Sequence, residues 1–155
     1  MTIPRIIAQK LIDQHRTLAV AESCTGGLIS KTLTDIPGSS AFFVAGFVAY
    51  ANSAKVNFLK VPSALIERHG AVSAPVVRAM ALGARTVTGA DCSVAVTGIA
   101  GPTGSTTSKP VGLVFLSVSY KRRTIVKRYV FNGTRGQVRQ QAAATALEML
   151  AACLQ

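Results

Sequence analysis

Hydrophobic residues along the chain follow helical spacing in some stretches and form short continuous runs in others. They recur every three or four positions over residues 3–16, which predicts an amphipathic helix. Residues 17–21 form a short apolar run that indicates a buried strand, and a turn of small residues separates it from a helix predicted at 28–33. A strand, a tight turn and a helix in this order are typical of an α/β layer.

The remainder of the chain repeats this change between strand-like and helix-like stretches. Apolar and β-branched runs predict further strands at residues 42–50, 92–97, 111–118 and 123–131. Helical spacing and end signals predict further helices at residues 52–59, 63–69, 74–88 and 134–155. Lysine and arginine interrupt the last strand, so we expect it near an edge of the sheet. This order predicts one α/β domain over residues 1–155, in which helices cover both faces of a mixed sheet to form three α/β/α layers.

Composition narrows the class of protein. Hydrophobic residues make up 49% and charged residues 15% of the 155 positions, so the chain can form a core and is unlike disordered proteins. No uncharged apolar run is long enough for a membrane span, and charged residues interrupt the region where a secretion signal would be apolar. The three cysteines lack metal-ligand spacing, and their odd number does not suit a disulfide framework. We therefore expect a cytoplasmic protein without a metal site or cofactor.

The charge is strongly positive and uneven. The chain carries 17 basic and 6 acidic residues, a formal net charge of +11, and no acidic residue lies between Asp91 and Glu148. Such a surface attracts nucleic acid, acidic lipid or a phosphorylated small molecule, and charge alone does not choose among them. A basic run at residues 121–123, followed by Lys127 and Arg128, is either a solvated hairpin or part of a nucleic-acid groove, although few aromatic residues accompany it for stacking.

Two loops of small residues follow predicted strands, at residues 22–27 and 97–104. Ligands of open α/β sheets bind beyond the carboxyl ends of strands, where glycine lets backbone amides approach closely. We therefore expect Thr25, Gly26 and Gly27 to contact an anionic ligand, because amides at the start of a helix favour phosphate or an oxyanion. The spacing fits neither a Walker A loop nor GxGxxG, and a simple tight turn is the alternative.

Three hydroxyl groups and one amine are candidates for nucleophilic chemistry. Ser23 ends the first predicted strand, and Ser40 lies in the same segment as Tyr50 and Lys55. A lysine whose pKa is lowered by burial can accept a proton from serine, and a tyrosine hydroxyl can relay that proton or stabilise an oxyanion. Ser23, next to the helix-start amides, is equally a candidate phosphate ligand. The other three have structural alternatives: Ser40 as a helix cap, Tyr50 as a strand aromatic and Lys55 as a solvated helix residue.

Two arginines near the start of the last predicted helix are candidates for anion binding. Arg135 and Arg139 are four positions apart and therefore lie on one face of that helix. Guanidinium groups so placed can clamp a phosphate or a carboxylate through paired hydrogen bonds.

Seven short motifs together resemble one known family. They lie at residues 21–27 (AESCTGG), 38–40 (GSS), 50–55 (YANSAK), 69–73 (HGAVS), 97–102 (TGIAGP), 109–112 (KPVG) and 131–135 (FNGTR), the last followed by Val138 and Arg139. In all of them the chain resembles the CinA C-terminal domain family. The motifs keep the order and spacing of that family over nearly the whole chain.

The resemblance implies a nicotinamide-nucleotide amidase, which hydrolyses nicotinamide mononucleotide to nicotinic acid mononucleotide and ammonia in pyridine nucleotide salvage. It implies a compact α/β/α domain that is usually a homo-oligomer, with no metal requirement. It also implies a catalytic group of a serine, a tyrosine and a lysine, which by motif are Ser23 or Ser40, Tyr50 and Lys55. The substrate pocket would be completed by residues of the second loop and the last motif: Thr97, Gly98, Gly101, Arg135 and Arg139.

Two departures from the family qualify this expectation. Residues 103–108, TGSTTS, replace an acidic or glycine-rich stretch, so substrate preference can differ. Relatives often carry a large N-terminal domain, whereas this chain begins at the amidase domain, and we therefore expect the stand-alone form. Two other functions stay open: a nucleic-acid-associated protein, motivated by the charge, and a module that binds a nucleotide without turnover.

Overall fold

The computed structural model describes residues 1–155 as a five-stranded sheet with helices on both faces. The helices are α1 (Ile3–Asp13), α2 (Leu28–Thr34), α3 (Asn52–Leu59), α4 (Ser63–His69), α5 (Ala74–Thr88) and α6 (Arg135–Cys153). The strands are β1 (Leu18–Glu22), β2 (Phe43–Val48), β3 (Cys92–Gly98), β4 (Leu113–Tyr120) and β5 (Arg123–Val130), and a short 3-10 helix at Ser39–Ala41 precedes β2. The α/β class and the predicted elements are confirmed.

The pairing of the strands brings three loops to one end of the sheet. The order is β2-β1-β3-β4-β5, with β1 parallel to β2 and β3, and β4 antiparallel to β3 and β5. The carboxyl ends of β1, β2 and β3 therefore lie at the same edge. The turn between β4 and β5 lies at the opposite end, because Tyr120 pairs with Cys92 at the start of β3.

Each face of the sheet has its own hydrophobic core. Along β1, Leu18 and Val20 face the larger core, which also contains buried residues of α1, α2 and α6. Ala19 and Ala21 face the smaller core, which contains the buried residues of α5. β5 is the last strand of the sheet order, which confirms its predicted edge position, and half of its residues are exposed, whereas all five residues of β1 are buried.

Several predicted element ends differ from the structure. The first helix ends at Asp13 and not at residue 16, because the chain turns at His15, which has a φ of 52°. α3 has the predicted bounds, and Ala51 takes its cap position. Thr134 caps α6 by accepting a hydrogen bond from the backbone N–H of Gln137, so that helix begins one residue later than predicted. No helix is both long and apolar enough to cross a bilayer.

Candidate active site

A pocket of about 250 Å³ opens at the carboxyl ends of β1 and β3. Its walls come from the turn after β1, the start of α3, the loop after β3 and the first residue of α6. This is the position at which open α/β sheets bind ligands. The predicted site residues that line it are Ser23, Tyr50, Lys55, Thr97, Gly98, Gly101 and Arg135.

Ser23 and Lys55 meet at the base of this pocket. The Nζ of Lys55 lies 3.0 Å from the Oγ of Ser23, although the residues are 32 positions apart. The same nitrogen lies 3.0 Å from the carbonyl oxygens of Ala49 and Tyr50. Lys55 is 1% exposed and Ser23 is 8% exposed. The pair is therefore shielded from bulk water on every side except the pocket.

The surroundings of Lys55 favour its neutral amine. Burial lowers the pKa of Lys55 below its ordinary value of 10.5, and no carboxylate lies within salt-bridge distance of the nitrogen. Two of its N–H groups point to carbonyl oxygens, which can only accept. In the neutral amine, the lone pair is then left facing the Oγ of Ser23. That hydroxyl can donate its proton to the amine, which is the arrangement a general base needs.

Packing of α3 places Lys55 in this position. Lys55 and Leu59 are the buried residues of α3 and lie one turn apart on one face. That face approaches α5 closely, since a Cβ on Gly83 would overlap the carbonyl of Leu59. The backbone carbonyl of Lys55 also accepts from the N–H of Val61, which fixes the end of the helix. The lysine is thus held by the core of the protein and is not free to turn to solvent.

Glu22, which the sequence analysis did not single out, organises the turn that carries Ser23. Its carboxylate is fully buried and accepts hydrogen bonds from the hydroxyl and backbone groups of Thr25, Ile29 and Ser30. The sequence offered one indication of this role, because Glu22 is a charged residue at the end of an otherwise apolar strand. Its burial depends on donors from the following helix, which the strand pattern does not reveal.

The turn at residues 23–27 places Ser23 in the pocket but does not present free helix-start amides to a ligand. The hydroxyl of Thr25 donates to Glu22, and the backbone N–H groups of Ile29 and Ser30 in the first turn of α2 donate to the same carboxylate. These helix-start amides are therefore already paired with a carboxylate of the protein and are not available to an anionic ligand. Gly26 and Gly27 have positive φ angles and shape the turn without lining the pocket.

Arg135 and Arg139 do not form the predicted clamp. Arg135 lines the pocket mouth, where it donates to the carbonyl of Gly101 at 2.7 Å and to the hydroxyl of Tyr50 at 2.9 Å. Arg139 instead donates to the backbone carbonyls of Cys24 and Thr25 and supports the turn from behind. Arg135 is thus available to a ligand, whereas Arg139 stabilises the turn at residues 23–27.

The second loop contributes backbone and one buried hydroxyl to the pocket. Thr97 is 1% exposed, and its hydroxyl donates to the carbonyl of Ala71 in the segment between α4 and α5. Lys109 donates to the carbonyl of His69 at 2.6 Å, which ties the far end of the loop to α4. These two contacts join the loop after β3 to the rest of the site.

Ser40 does not reach the site. It is exposed in the 3-10 helix before β2, at the amino end of that strand, whereas Tyr50 follows its carboxyl end. The six residues of β2 separate the two ends by about 20 Å at roughly 3.3 Å per residue. Between the two serines proposed from the sequence, the structure brings only Ser23 to Lys55.

The excess positive charge lies mostly away from the pocket. Lys55 and Arg135 are the basic residues that line it. The basic run at residues 121–123 lies at the opposite end of the sheet.

Burial raises the pKa of the Cys24 thiol to about 11, so this pocket residue is a neutral thiol near pH 7. No three histidine, cysteine or acidic side chains are grouped closely enough to hold a metal ion.

Comparison with known sequences agrees with the motifs. The sequence model of the CinA C-terminal domain matches residues 1–154. A CinA-like protein of Geobacter sulfurreducens is 52% identical over 149 residues, which make up 96% of this chain and 36% of that protein. A CinA-like protein of Desulfotalea psychrophila is 50% identical over 149 residues, with the same shares. The chain thus spans about a third of the length of these curated relatives.

Solved structures with this fold match over nearly their whole length. The competence/damage inducible protein CihA from Agrobacterium tumefaciens is 41% identical with a TM-score of 0.96, covering 99% of this chain and 94% of that one. The competence damage-inducible protein A (ComA) from Klebsiella pneumoniae is 34% identical with a TM-score of 0.93, covering 97% and 93%. With the motifs, the fold and these matches in agreement, the chain belongs to the CinA C-terminal domain family.

Proposed function

We propose that the chain is an amidohydrolase that converts nicotinamide mononucleotide to nicotinic acid mononucleotide and ammonia. The substrate comes from the resemblance of the motifs. The chemistry is supported by one observation, the 3.0 Å contact between the Ser23 hydroxyl and a buried lysine whose pKa is lowered. A serine and a neutral amine in a pocket form a nucleophile with its own base, as acyl transfer from an amide requires.

In the proposed reaction, the amine of Lys55 takes the proton of Ser23 while the Oγ attacks the carboxamide carbon. The tetrahedral intermediate then loses ammonia: the C–N bond breaks, and the leaving nitrogen takes the proton back from Lys55. This leaves an ester between Ser23 and the nicotinate carbonyl. Water, deprotonated by Lys55, hydrolyses the ester and regenerates the serine. Each proton that Lys55 accepts is returned, so the cycle needs no cofactor.

The shape of the pocket suggests how the substrate lies. A volume of about 250 Å³ is small for a complete mononucleotide, since ligand sites usually measure roughly 300–1,000 Å³. We therefore place the nicotinamide ring inside, next to Ser23, and the phosphate at the mouth. Arg135 is the cation at that mouth and has further N–H groups beyond those bonded to Gly101 and Tyr50.

Ammonia release from nicotinamide mononucleotide by the purified chain tests this proposal. Ser23→Ala should abolish release, whereas Ser40→Ala is a matched control that should keep the wild-type rate because Ser40 lies far from the pocket. Binding of the nucleotide without ammonia release over hours would instead indicate a module without turnover. Loss of activity in Ser40→Ala but not in Ser23→Ala would refute the assignment of the nucleophile.

Tyr50 has a smaller role in this proposal than the motif implies. Its backbone carbonyl holds Lys55, while its hydroxyl accepts from Arg135 and its side chain is 55% exposed. Tyr50→Phe should therefore raise KM about two- to fivefold and leave kcat within about threefold, because one exposed hydrogen bond is lost. A fall of kcat of about a hundredfold would show that the hydroxyl relays the proton after all.

A second candidate function, nucleic-acid binding, is favoured by the edge strand β5. Arg123, Lys127 and Arg128 are exposed there, and none of them has an acidic partner within salt-bridge distance. Binding of a labelled DNA duplex should weaken steeply with salt, since each neutralised phosphate adds about 0.9 to the slope of log K against log salt. Charge reversal at Lys127 and Arg128 that leaves binding unchanged would refute this function.

A further inference from the structure

Glu22 is the one acidic side chain of the protein that is completely buried. Its Oε1 accepts from the hydroxyl of Thr25 at 2.7 Å and from the backbone N–H of Ile29 at 2.9 Å. Its Oε2 accepts from the backbone N–H and the hydroxyl of Ser30, at 3.0 and 2.7 Å. All four partners donate, which suits a carboxylate because that group only accepts.

The carboxylate does the work of a helix cap for α2. Gly27 holds the N-cap position and has no side chain to offer the first N–H groups of that helix. Glu22 pairs two of these groups from the preceding strand, and its negative charge lies at the positive end of the helix. The ends of the turn at residues 23–27 are thereby tied to a single side chain.

The backbone of Glu22 also reaches the segment that holds Lys55. Its carbonyl accepts from the N–H of Ala49 at 2.8 Å. The carbonyl oxygens of Ala49 and Tyr50 in turn accept from the Nζ of Lys55. Glu22 is therefore attached on one side to the turn that carries Ser23 and on the other to the segment that holds its base.

We propose that Glu22 is a positioning residue, whose buried carboxylate fixes the turn at residues 23–27 and thereby sets the distance between the Ser23 hydroxyl and Lys55. This inference rests on the proposed function, because it assigns catalytic meaning to that distance. Glu22 is not among the residues that line the pocket. Its effect is expected in the chemical step and not in substrate binding.

Glu22→Gln tests the proposal, because it keeps the shape and replaces one acceptor oxygen with an amide NH₂. The hydroxyl groups of Thr25 and Ser30 can rotate to accept from that NH₂, but the backbone N–H groups of Ile29 and Ser30 cannot. One buried donor is left facing another donor, so the turn must shift. We expect kcat to fall about 10- to 100-fold with KM within about twofold, as small misplacements of reacting groups produce.

A matched pair of milder variants separates positioning from simple support of the fold. Thr25→Val removes a hydroxyl of the turn that donates to Glu22, whereas Thr34→Val removes a hydroxyl of α2 that donates to the backbone carbonyl of Ser30 and does not contact Glu22. We expect Thr25→Val to lower kcat about 5- to 10-fold, and Thr34→Val to keep kcat within about twofold even where it lowers the melting temperature. Equal effects of the two on kcat would overturn the proposal, and this comparison holds even where Glu22→Gln does not fold.

A crystal structure of Glu22→Gln gives a readout that does not depend on activity. We expect the Oγ of Ser23 to lie clearly farther than 3.0 Å from the Nζ of Lys55. An unchanged distance would overturn the positioning role. A wild-type chain that releases no ammonia would refute the proposed function, whereas a lengthened distance in the variant would still show that Glu22 sets this contact.

Discussion

Replacing Lys55 with methionine removes the proposed base and keeps a side chain of similar length. In the wild type, Nζ holds one hydroxyl and two carbonyl oxygens, each at 3.0 Å, inside a site where the lysine is 1% exposed. Without the amine, Ser23 has no group to take its proton. A positioned general base accelerates a reaction by about 10²- to 10⁴-fold, so kcat should fall by that factor. This corresponds to a rise of about 3–5 kcal/mol in the activation free energy.

The proposed base also predicts the direction in which the rate changes with pH. Burial lowers the pKa of Lys55 below 10.5, and the neutral amine is the active form. The value of kcat/KM should therefore rise with pH, reach half its maximum at a pH below 10.5 and level off above that point. Ammonia release in buffers of constant ionic strength measures this. Lys55→Met should show no such rise. A variant that retains the wild-type rate within about threefold, or a wild-type rate that does not rise with pH, would refute the reasoning.

Stability should respond to the same ionisation. Between the lowered pKa of the folded protein and 10.5, the unfolded chain binds a proton that the folded chain does not, so folding stability rises with pH in that window. Below the window, both states hold the proton and the cost of burying the charge is fully present. Lys55→Met lacks this dependence. Urea unfolding of both proteins across the window should show wild-type stability rising relative to the variant, and parallel curves would contradict the assignment.

Three further predictions concern the supports of the site. Gly83→Ala should lower stability by about 2 kcal/mol and the melting temperature by about 4–8 °C, since its Cβ would overlap the backbone of α3, and unchanged melting would contradict this packing. Gly26→Ala should reduce kcat about tenfold, because Gly26 has a φ of 60° and a Cβ there would stand 2.9 Å from the Nη2 of Arg139; full activity would show that the turn tolerates the shift. Iodoacetamide at pH 8 should label the half-buried Cys153 before Cys24, whose pKa burial raises to about 11, as peptide mass spectrometry can determine; faster labelling of Cys24 would mean that the thiol is activated.

The layers of the fold could be predicted because apolar periodicity reports burial directly. The fully buried strand β1 and the polar edge strand β5 differ in pattern, and their interior and edge positions follow from that difference. The exact end of α1 could not be read in this way. It depends on a positive φ at His15, which a pattern of residue types does not determine.

The site was only partly predictable, because distance along the chain is a poor guide to distance in space. Ser40 lies 15 positions from Lys55, yet β2 carries the chain away from it across the sheet. Ser23 lies 32 positions from Lys55, and the parallel pairing of β1 with β2 brings the two together. Glu22 was missed, and Arg139 was assigned to anion binding, for the same reason: both bond to backbone groups that only the folded turn presents.

The position of the covalent intermediate tests the central claim most directly. The wild-type chain can be mixed with nicotinamide mononucleotide, quenched in acid during turnover and digested for mass spectrometry. We expect the nicotinate ester on the peptide that contains Ser23 and no ester on the peptide that contains Ser40. Release of ammonia with an ester on a different residue, or on none, would contradict the assignment of Ser23 as the nucleophile that Lys55 activates.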